Sequence, residues 1–292
     1  MTIRHRSIGI DGVNIFYREA GPAGAPVMLL LHGFPSSSRQ YVRLMERLAG
    51  RYRVIAPDYP GFGYSDAPAP SSSGGSFVYS FDTLASVVES FCQRLGLERF
   101  FIYMFDYGGP IGLRLFERHR EWIAGLIVQN ANAYQEGLSV EAAALAKLRA
   151  DTPGAIDRVA GLLTLETTRF QYLHGARDVE RIAPDGWTLD QHFLDRPGRR
   201  QIQIDLALDY HSNLTCYGRW QSLLREQQPH SLIVWGRNDP FFPEPGAHAY
   251  LKDLPNARLH LFDTGHFALE EYLDEIALLI EEFVAAFSGS AR

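Results

Sequence analysis

Six short, mostly apolar runs constrain the fold of this chain of 292 residues more than any other feature. They occupy residues 27–31, 53–58, 100–105, 123–128, 231–235 and 258–262. Strands that are apolar on both faces are typical of parallel sheets, because helices cover both sides of such a sheet. Between the runs, segments such as residues 81–95 place apolar side chains at helical spacing. The alternation predicts an α/β fold with a mostly parallel central sheet flanked by helices.

The strand and helix rhythm is interrupted once. After about residue 131 the sequence becomes helical and is punctuated by proline and glycine, and strands return only at Ser231. This pattern predicts a core made of residues 1–131 and 229–292, with residues 132–228 inserted as a helical cap (lid). Near the start of the chain, residues 14–19 alternate in the manner of an edge strand.

Composition excludes several classes of function. The net charge is −6 and the charges are dispersed, so a nucleic-acid partner is not expected. Cys92 and Cys216 stand far apart without metal-ligand spacing, and we expect no metal and no cofactor. No run of 18 apolar residues and no secretory leader is present, which predicts a cytoplasmic protein without a membrane partner. A homodimer is compatible with these observations.

The carboxyl ends of the predicted strands carry reactive side chains, and ligands of α/β sheets bind at this edge. Asp106 ends one strand and is followed at once by Tyr107, two glycines and a helix, the pattern of a sharp elbow that exposes its central side chain. Taken alone, Asp106 is equally well explained as a helix N-cap. Asp239 and His266 follow later strands, which completes the order nucleophile, acid, histidine along the chain.

With these residues the sequence resembles the α/β-hydrolase superfamily along nearly its whole length, from the His-Gly-Phe-Pro turn at residues 32–35 to His266. An aspartate at the elbow is similar to the branch that contains epoxide hydrolases and haloalkane dehalogenases. The resemblance implies that Asp106 attacks a saturated carbon to form an ester, and that His266, oriented by Asp239, activates water to hydrolyse it. It also implies an oxyanion hole made of the backbone N–H groups of Phe34 and Tyr107.

The resemblance further distinguishes between the two reactions of this branch. Dehalogenases usually place a tryptophan after the nucleophile as one halide donor, and the second is often an asparagine after His-Gly or a cap tryptophan. This chain has Tyr107 after the nucleophile and Phe34 after His-Gly. Epoxide hydrolases instead use cap tyrosines to polarise the ring oxygen. Tyr210 matches the second of these and is our predicted ring-opening acid, although a tyrosine packed beneath the cap is the alternative.

The first cap tyrosine is assigned to Tyr172, with Arg169 as the alternative in its register. Two other positions depart from the epoxide hydrolase pattern. Met104 replaces a glycine that epoxide hydrolases often have before the nucleophile, and Asn130 stands where some dehalogenases carry their acid, which leaves Asp239 in that role.

The sequence therefore predicts a hydrolase that acts on ether bonds, an epoxide hydrolase that forms a vicinal diol through an ester on Asp106. Its partners would be water and a small hydrophobic epoxide or halide. A haloalkane dehalogenase with the same three residues and a non-catalytic ligand-binding member of the same fold are the alternatives.

Overall fold

The computed structural model describes residues 2–288, and for Ser288 only the backbone. Its eight strands form one sheet in the order β1-β2-β4-β3-β5-β6-β7-β8. The strands are β1 (Arg4–Ile10), β2 (Val13–Ala20), β3 (Val27–Leu31), β4 (Arg53–Pro57), β5 (Phe100–Phe105), β6 (Ile123–Gln129), β7 (Ser231–Gly236) and β8 (Arg258–Phe262). β2 pairs antiparallel with β1 and β4, and all pairs from β4 to β8 are parallel.

Helices connect the parallel strands and cover the sheet. The α-helices are α1 (Val42–Leu48), α2 (Phe81–Arg94), α3 (Gly108–Arg118), α4 (Val140–Ala146), α5 (Ala155–Ala160), α6 (Leu165–Leu173), α7 (Asp185–Leu194), α8 (Arg199–Asp209), α9 (His211–Gln227), α10 (Pro245–Asp253) and α11 (Leu269–Ser288). The predicted α/β architecture is thus confirmed. Each long helix predicted from apolar spacing is present within a few residues of its expected bounds.

Two buried clusters lie on opposite faces of the sheet, as expected for strands that are apolar throughout. One packs α2, α3 and α10 against residues such as Leu29 and Ile102. The other packs α1 and α11 against their sequence neighbours Leu30 and Tyr103. Neighbouring strand residues point to opposite faces, so both faces need apolar side chains and the runs show no alternation.

One strand prediction was wrong in its position. Residues 14–19 lie in β2, which is not at the edge, because β1 pairs along its outer side. β1 reads Arg-His-Arg-Ser-Ile-Gly-Ile and is mostly exposed, so it carries no apolar periodicity by which the sequence could reveal it.

The chain between β6 and β7 contains the six helices α4 to α9 and no strand within residues 132–228. This inserted segment lies at the carboxyl ends of β5 and β6, and it covers the elbow at Asp106. Its status as a separate domain stays a prediction. Within residues 2–288, no helix has the length and apolar character needed to cross a membrane.

Candidate active site

Asp106 occupies a sharp turn between β5 and α3. Its φ of 49° lies in the left-handed region, which is unusual for a residue with a side chain and typical of strained functional turns. Close packing around the turn explains two glycines of the sequence. A Cβ on Gly33 would lie 2.3 Å from the Cβ of Asp106, and a Cβ on Gly108 would lie 2.2 Å from the carbonyl oxygen of Leu31. Larger residues at these positions would displace the elbow.

The two carboxylate oxygens of Asp106 have different surroundings. Oδ1 accepts a hydrogen bond of 2.6 Å from the backbone N–H of Phe34, and the backbone N–H of Tyr107 also hydrogen-bonds the carboxylate. Oδ2 faces His266, with 3.9 Å between it and Nε2. Burial raises the pKa of Asp106 to about 6, although His266 and the two N–H groups favour the charged form. At neutral pH the carboxylate is therefore mostly ionised and poorly solvated.

His266 is held from its other side by Asp239. Its Nδ1 lies 2.6 Å from Oδ2 of Asp239, so Nδ1 donates and the unprotonated Nε2 of the neutral ring points at Asp106. Burial lowers the pKa of His266, but the Asp239 carboxylate and, to a smaller extent, Asp106 outweigh it and the net shift is upward. The ring is thus tuned to accept a proton at Nε2.

Asp239 itself is fixed by three further donors. The backbone N–H groups of Phe241 and Phe242 donate to Oδ1 over 2.8 and 3.1 Å, and the amide of Asn130 donates to Oδ2 over 2.8 Å. Asn130 is fully buried and also exchanges hydrogen bonds with the backbone of Gly236. Asn130 therefore holds the acid Asp239 in place. It does so from the position at which some dehalogenases carry their own acid.

A cavity of about 690 Å³ opens above Asp106 and His266. Its walls come from the core loops after β3 and β7 and from the helices of the inserted segment. Most lining side chains are apolar: Phe34, Leu138, Leu145, Val159, Leu162, Leu163, Phe170, Phe241 and Phe242. Such a cavity suits an organic molecule of moderate size that is largely apolar.

Tyr210 lies between α8 and α9 and lines this cavity. Burial raises the pKa of its hydroxyl well above the usual value, so the group stays protonated. Its neighbour Tyr217 hydrogen-bonds it and accepts from the amide of Asn132 over 3.1 Å. The hydrogen bond with Tyr217 favours the protonated form of Tyr210, so this hydroxyl keeps the proton that an acid needs.

The structure does not bring Tyr172 to the cavity, and this placement from the sequence needs correction. Tyr172 is 1% exposed, stacks on Phe267 at 3.9 Å between ring centroids and donates to Oδ2 of Asp190 over 2.5 Å. Its alternative, Arg169, is exposed and lies over Trp187. Neither side chain lines the cavity, whereas Gln171 of the same helix does.

Sequence reasoning missed several groups that shape the site. The supporting role of Asn130 could have been predicted from the sequence, because this residue follows the strand next to the one that precedes Asp106. Gln171 and Gln203 line the cavity without any such signal, since both lie inside helices of mixed polarity. No group of three or more metal-ligating side chains is found within residues 2–288.

A sequence model described as the alpha/beta hydrolase fold matches residues 26–272. The chain belongs to this family. An uncharacterized hydrolase of Saccharomyces cerevisiae is 38% identical to this α/β hydrolase over 283 residues, which covers 95% of this chain and 94% of the yeast protein. Epoxide hydrolase 3 of Xenopus tropicalis is 23% identical over 289 residues and covers 94% and 75% of the two chains.

Solved structures share the fold. The haloalkane dehalogenase DbeA of Bradyrhizobium elkani superposes on this α/β hydrolase with a TM-score of 0.81 and 19% identity, covering 99% of this chain and 100% of that one. The sequence prediction of the fold is thus confirmed. The predicted resemblance to epoxide hydrolases and haloalkane dehalogenases is confirmed as well.

Proposed function

We propose that this α/β hydrolase is an epoxide hydrolase that works through a covalent ester on Asp106. The observation that carries the proposal is the unequal environment of the Asp106 carboxylate. Oδ1 accepts from the backbone N–H of Phe34, while Oδ2 is turned toward His266 at the floor of an apolar cavity. A poorly solvated carboxylate with one free oxygen suits displacement at a saturated carbon better than attack on an acyl group.

In the first step, Oδ2 of Asp106 attacks a ring carbon and the bond between that carbon and the ring oxygen breaks. The oxygen leaves as an alkoxide and takes the proton of Tyr210, which lines the same cavity. The product is a hydroxyalkyl ester on Oδ2, and Tyr210 is left as a phenolate. A halide would need no such proton.

In the second step, Nε2 of His266 removes a proton from water, whose oxygen attacks Cγ of the ester. The negative charge that develops on Oδ1 is stabilised by the N–H groups of Phe34 and Tyr107, which already hydrogen-bond the carboxylate. Collapse breaks the bond between Cγ and Oδ2, and the departing diol oxygen takes the proton from His266. The second proton of the water, now on the Asp106 carboxyl, restores Tyr210.

The dehalogenase alternative requires N–H donors aimed at a leaving halide. Among the described residues, none of the tryptophans lines the cavity. Trp235 donates its indole N–H to the carbonyl of Phe242, and Trp220 on α9 is buried in the cluster that includes residues of α2 and α3. The cavity hydroxyl of Tyr210 is the donor that an epoxide oxygen needs, so the geometry favours epoxide opening.

The test is a single turnover of an aryl or alkyl epoxide with excess enzyme, in water enriched in the heavy isotope of oxygen. The mechanism expects the first diol to carry ordinary oxygen, because its new oxygen comes from Oδ2 of Asp106, and the label to appear on the protein. Label in the first diol would exclude the ester. Release of halide from haloalkanes with no diol from any epoxide would establish the alternative reaction.

Tyr210→Phe tests the ring-opening step. We expect the single-turnover rate of ester formation to fall by about a hundredfold or more, the usual contribution of general acid catalysis. Tyr134→Phe is the matched control, because Tyr134 is also a buried, hydrogen-bonded tyrosine but lies outside the cavity. An unchanged rate in Tyr210→Phe would remove this residue from the reaction.

A further inference from the structure

Two glutamine side chains interrupt the apolar lining of the cavity. Gln171 on α6 and Gln203 on α8 are only 5% and 4% exposed. Neither side-chain amide is hydrogen-bonded to any residue of the described chain, and Oε1 of Gln203 is fully enclosed without a partner. Buried amides are normally hydrogen-bonded, so an unpaired pair in a binding cavity indicates groups that a ligand satisfies.

The position of Gln203 relative to the reaction centre follows from helix geometry. Gln203, Ala207 and Tyr210 all line the cavity and are spaced four and three residues apart, so they share one face of α8 and its C-terminal end. With a rise of 1.5 Å per residue, Gln203 lies roughly 10 Å along the helix from Tyr210. If the epoxide ring of a substrate lies at Tyr210, the opposite end of the molecule (its far end) can reach Gln203.

The charges around the cavity restrict that far end. The lining includes the carboxylates of Glu141 and Glu166, both on exposed residues at its rim, and no lysine or arginine among residues 2–288. A carboxylate or phosphate would therefore meet no lysine or arginine in the lining and would be repelled by the two glutamates. A glutamine amide both donates and accepts, which matches a hydroxyl or a carboxamide.

We propose that the substrate is a neutral, largely apolar epoxide whose far end carries a hydroxyl or carboxamide group, and that this group hydrogen-bonds to Gln203. The assignment rests on the proposed function and deepens it, because it names the substrate class. Gln203 is then a specificity-determining residue, remote from the bond that breaks, and Gln171 is a second polar group of the same cavity.

The experiment compares terminal epoxyalkanes of graded length that end in a methyl, a hydroxyl, a carboxamide or a carboxylate. At the best length, we expect kcat/KM for the hydroxyl or carboxamide series to exceed that for the methyl series by about tenfold or more, since each amide hydrogen bond contributes about that factor. The carboxylate series should be the poorest. In Gln203→Leu and in the double variant with Gln171→Leu, the preference for the polar end should disappear.

Gln201→Leu is the matched control, because Gln201 lies on the same helix but hydrogen-bonds Asp205 outside the cavity. It should keep the wild-type preference. A preference that survives in the double variant, or its absence in the wild type, would overturn the proposal. Stability gives a second readout: replacing an unpaired buried amide by leucine should raise the Tm of the ligand-free protein by about 2 °C or more, whereas a merely structural glutamine would lower it.

Failure of the reaction is distinguishable from failure of the substrate class. If no epoxide yields diol, the proposed function fails. The hydroxyl-ended and methyl-ended epoxides can then be compared by thermal shift with the Asp106→Asn variant. Equal shifts would also overturn the polar subsite, and a larger shift with the hydroxyl-ended compound that is lost in Gln203→Leu would support it.

Discussion

Replacement of Asp239 by asparagine separates the two steps of the proposed reaction. The carboxylate accepts four hydrogen bonds, from His266, Asn130 and the backbone N–H groups of Phe241 and Phe242. An asparagine side chain has a single oxygen, so whichever way its amide turns, two of the four donors lose their acceptor and face an NH₂ group. If the oxygen stays on the two backbone donors, His266 can change tautomer and accept from the NH₂ group, so the amide of Asn130 is the donor that stays unpaired. At about 1 to 3 kcal/mol for a buried unpaired donor, the free energy of unfolding should fall by about that amount.

The same substitution changes the tautomer of His266. With the amide NH₂ directed at Nδ1, that nitrogen must accept, so the proton moves to Nε2 and the ring no longer serves as a base toward water. An analogous change in serine proteases lowers turnover by about ten-thousandfold. We expect hydrolysis of the Asp106 ester to slow by about that factor. Ester formation, which needs only Oδ2 and Tyr210, should slow by no more than about tenfold, because it does not require His266 as a base.

The assay is rapid quenching followed by intact-protein mass measurement with an epoxide that the wild type turns over. The variant should accumulate one equivalent of ester, seen as a mass increase equal to that of the epoxide. Asp253→Asn is the control, because Asp253 is a buried carboxylate that accepts from Tyr134 and Arg225 but lies outside the cavity. Loss of steady-state turnover in Asp239→Asn without any accumulated ester would refute the reasoning.

Three further predictions concern pH and packing. Because burial raises the pKa of Asp106 to about 6 and the ionised form is the nucleophile, the single-turnover rate of ester formation should fall as the pH falls through about 6; a rate that stays constant well below this pH would contradict the assignment. Gly33→Ala should reduce diol formation by about a hundredfold or more, because its methyl group would displace Asp106, whereas Gly218→Ala on α9, where a Cβ meets nothing, should leave the rate unchanged. Asp190 is fully buried beside Tyr172, and burial raises its pKa to about 7. The folded form therefore holds this proton more tightly than the unfolded chain, so the stability that the proton provides is present at low pH and is lost as the pH rises through about 7. Asp190→Asn should remove that dependence, and denaturant unfolding across this range measures the difference; parallel curves for the two proteins would exclude Asp190 as its origin.

The three reactive residues at the strand ends were accessible from the sequence. The strands before Asp106, Asp239 and His266 are short, mostly apolar runs, and such runs separated by helices are typical of one parallel sheet. Parallel strands bring their carboxyl ends to the same edge, so the separation of these residues along the chain does not matter. The elbow is also a local feature, because Gly108 lies only two residues after Asp106 and its close approach to Leu31 requires a glycine there.

The helices of the inserted segment could not be oriented in the same way. On α6, the apolar residues Leu165 and Phe170 are 52% and 42% exposed, while Thr168 and Gln171 are buried. On this helix, apolar residues are exposed and polar residues are buried. Its sequence therefore has no apolar face that would predict which side of the helix packs against the protein. Neighbouring residues on a helix point about 100° apart, so the choice between Tyr172 and Gln171 depends on packing.

The sequence by itself determined the sheet, the elbow and the order of the three reactive residues, because short-range chemistry and strand direction fix them. Tertiary structure decided which side chains of α6 and α8 face the cavity. Those helices are held by contacts between distant segments, such as the hydrogen bond from Tyr172 to Asp190 and its stacking on Phe267. Packing of this kind involves residues far apart in the chain, and it turned Tyr172 toward the core and two glutamines toward the cavity.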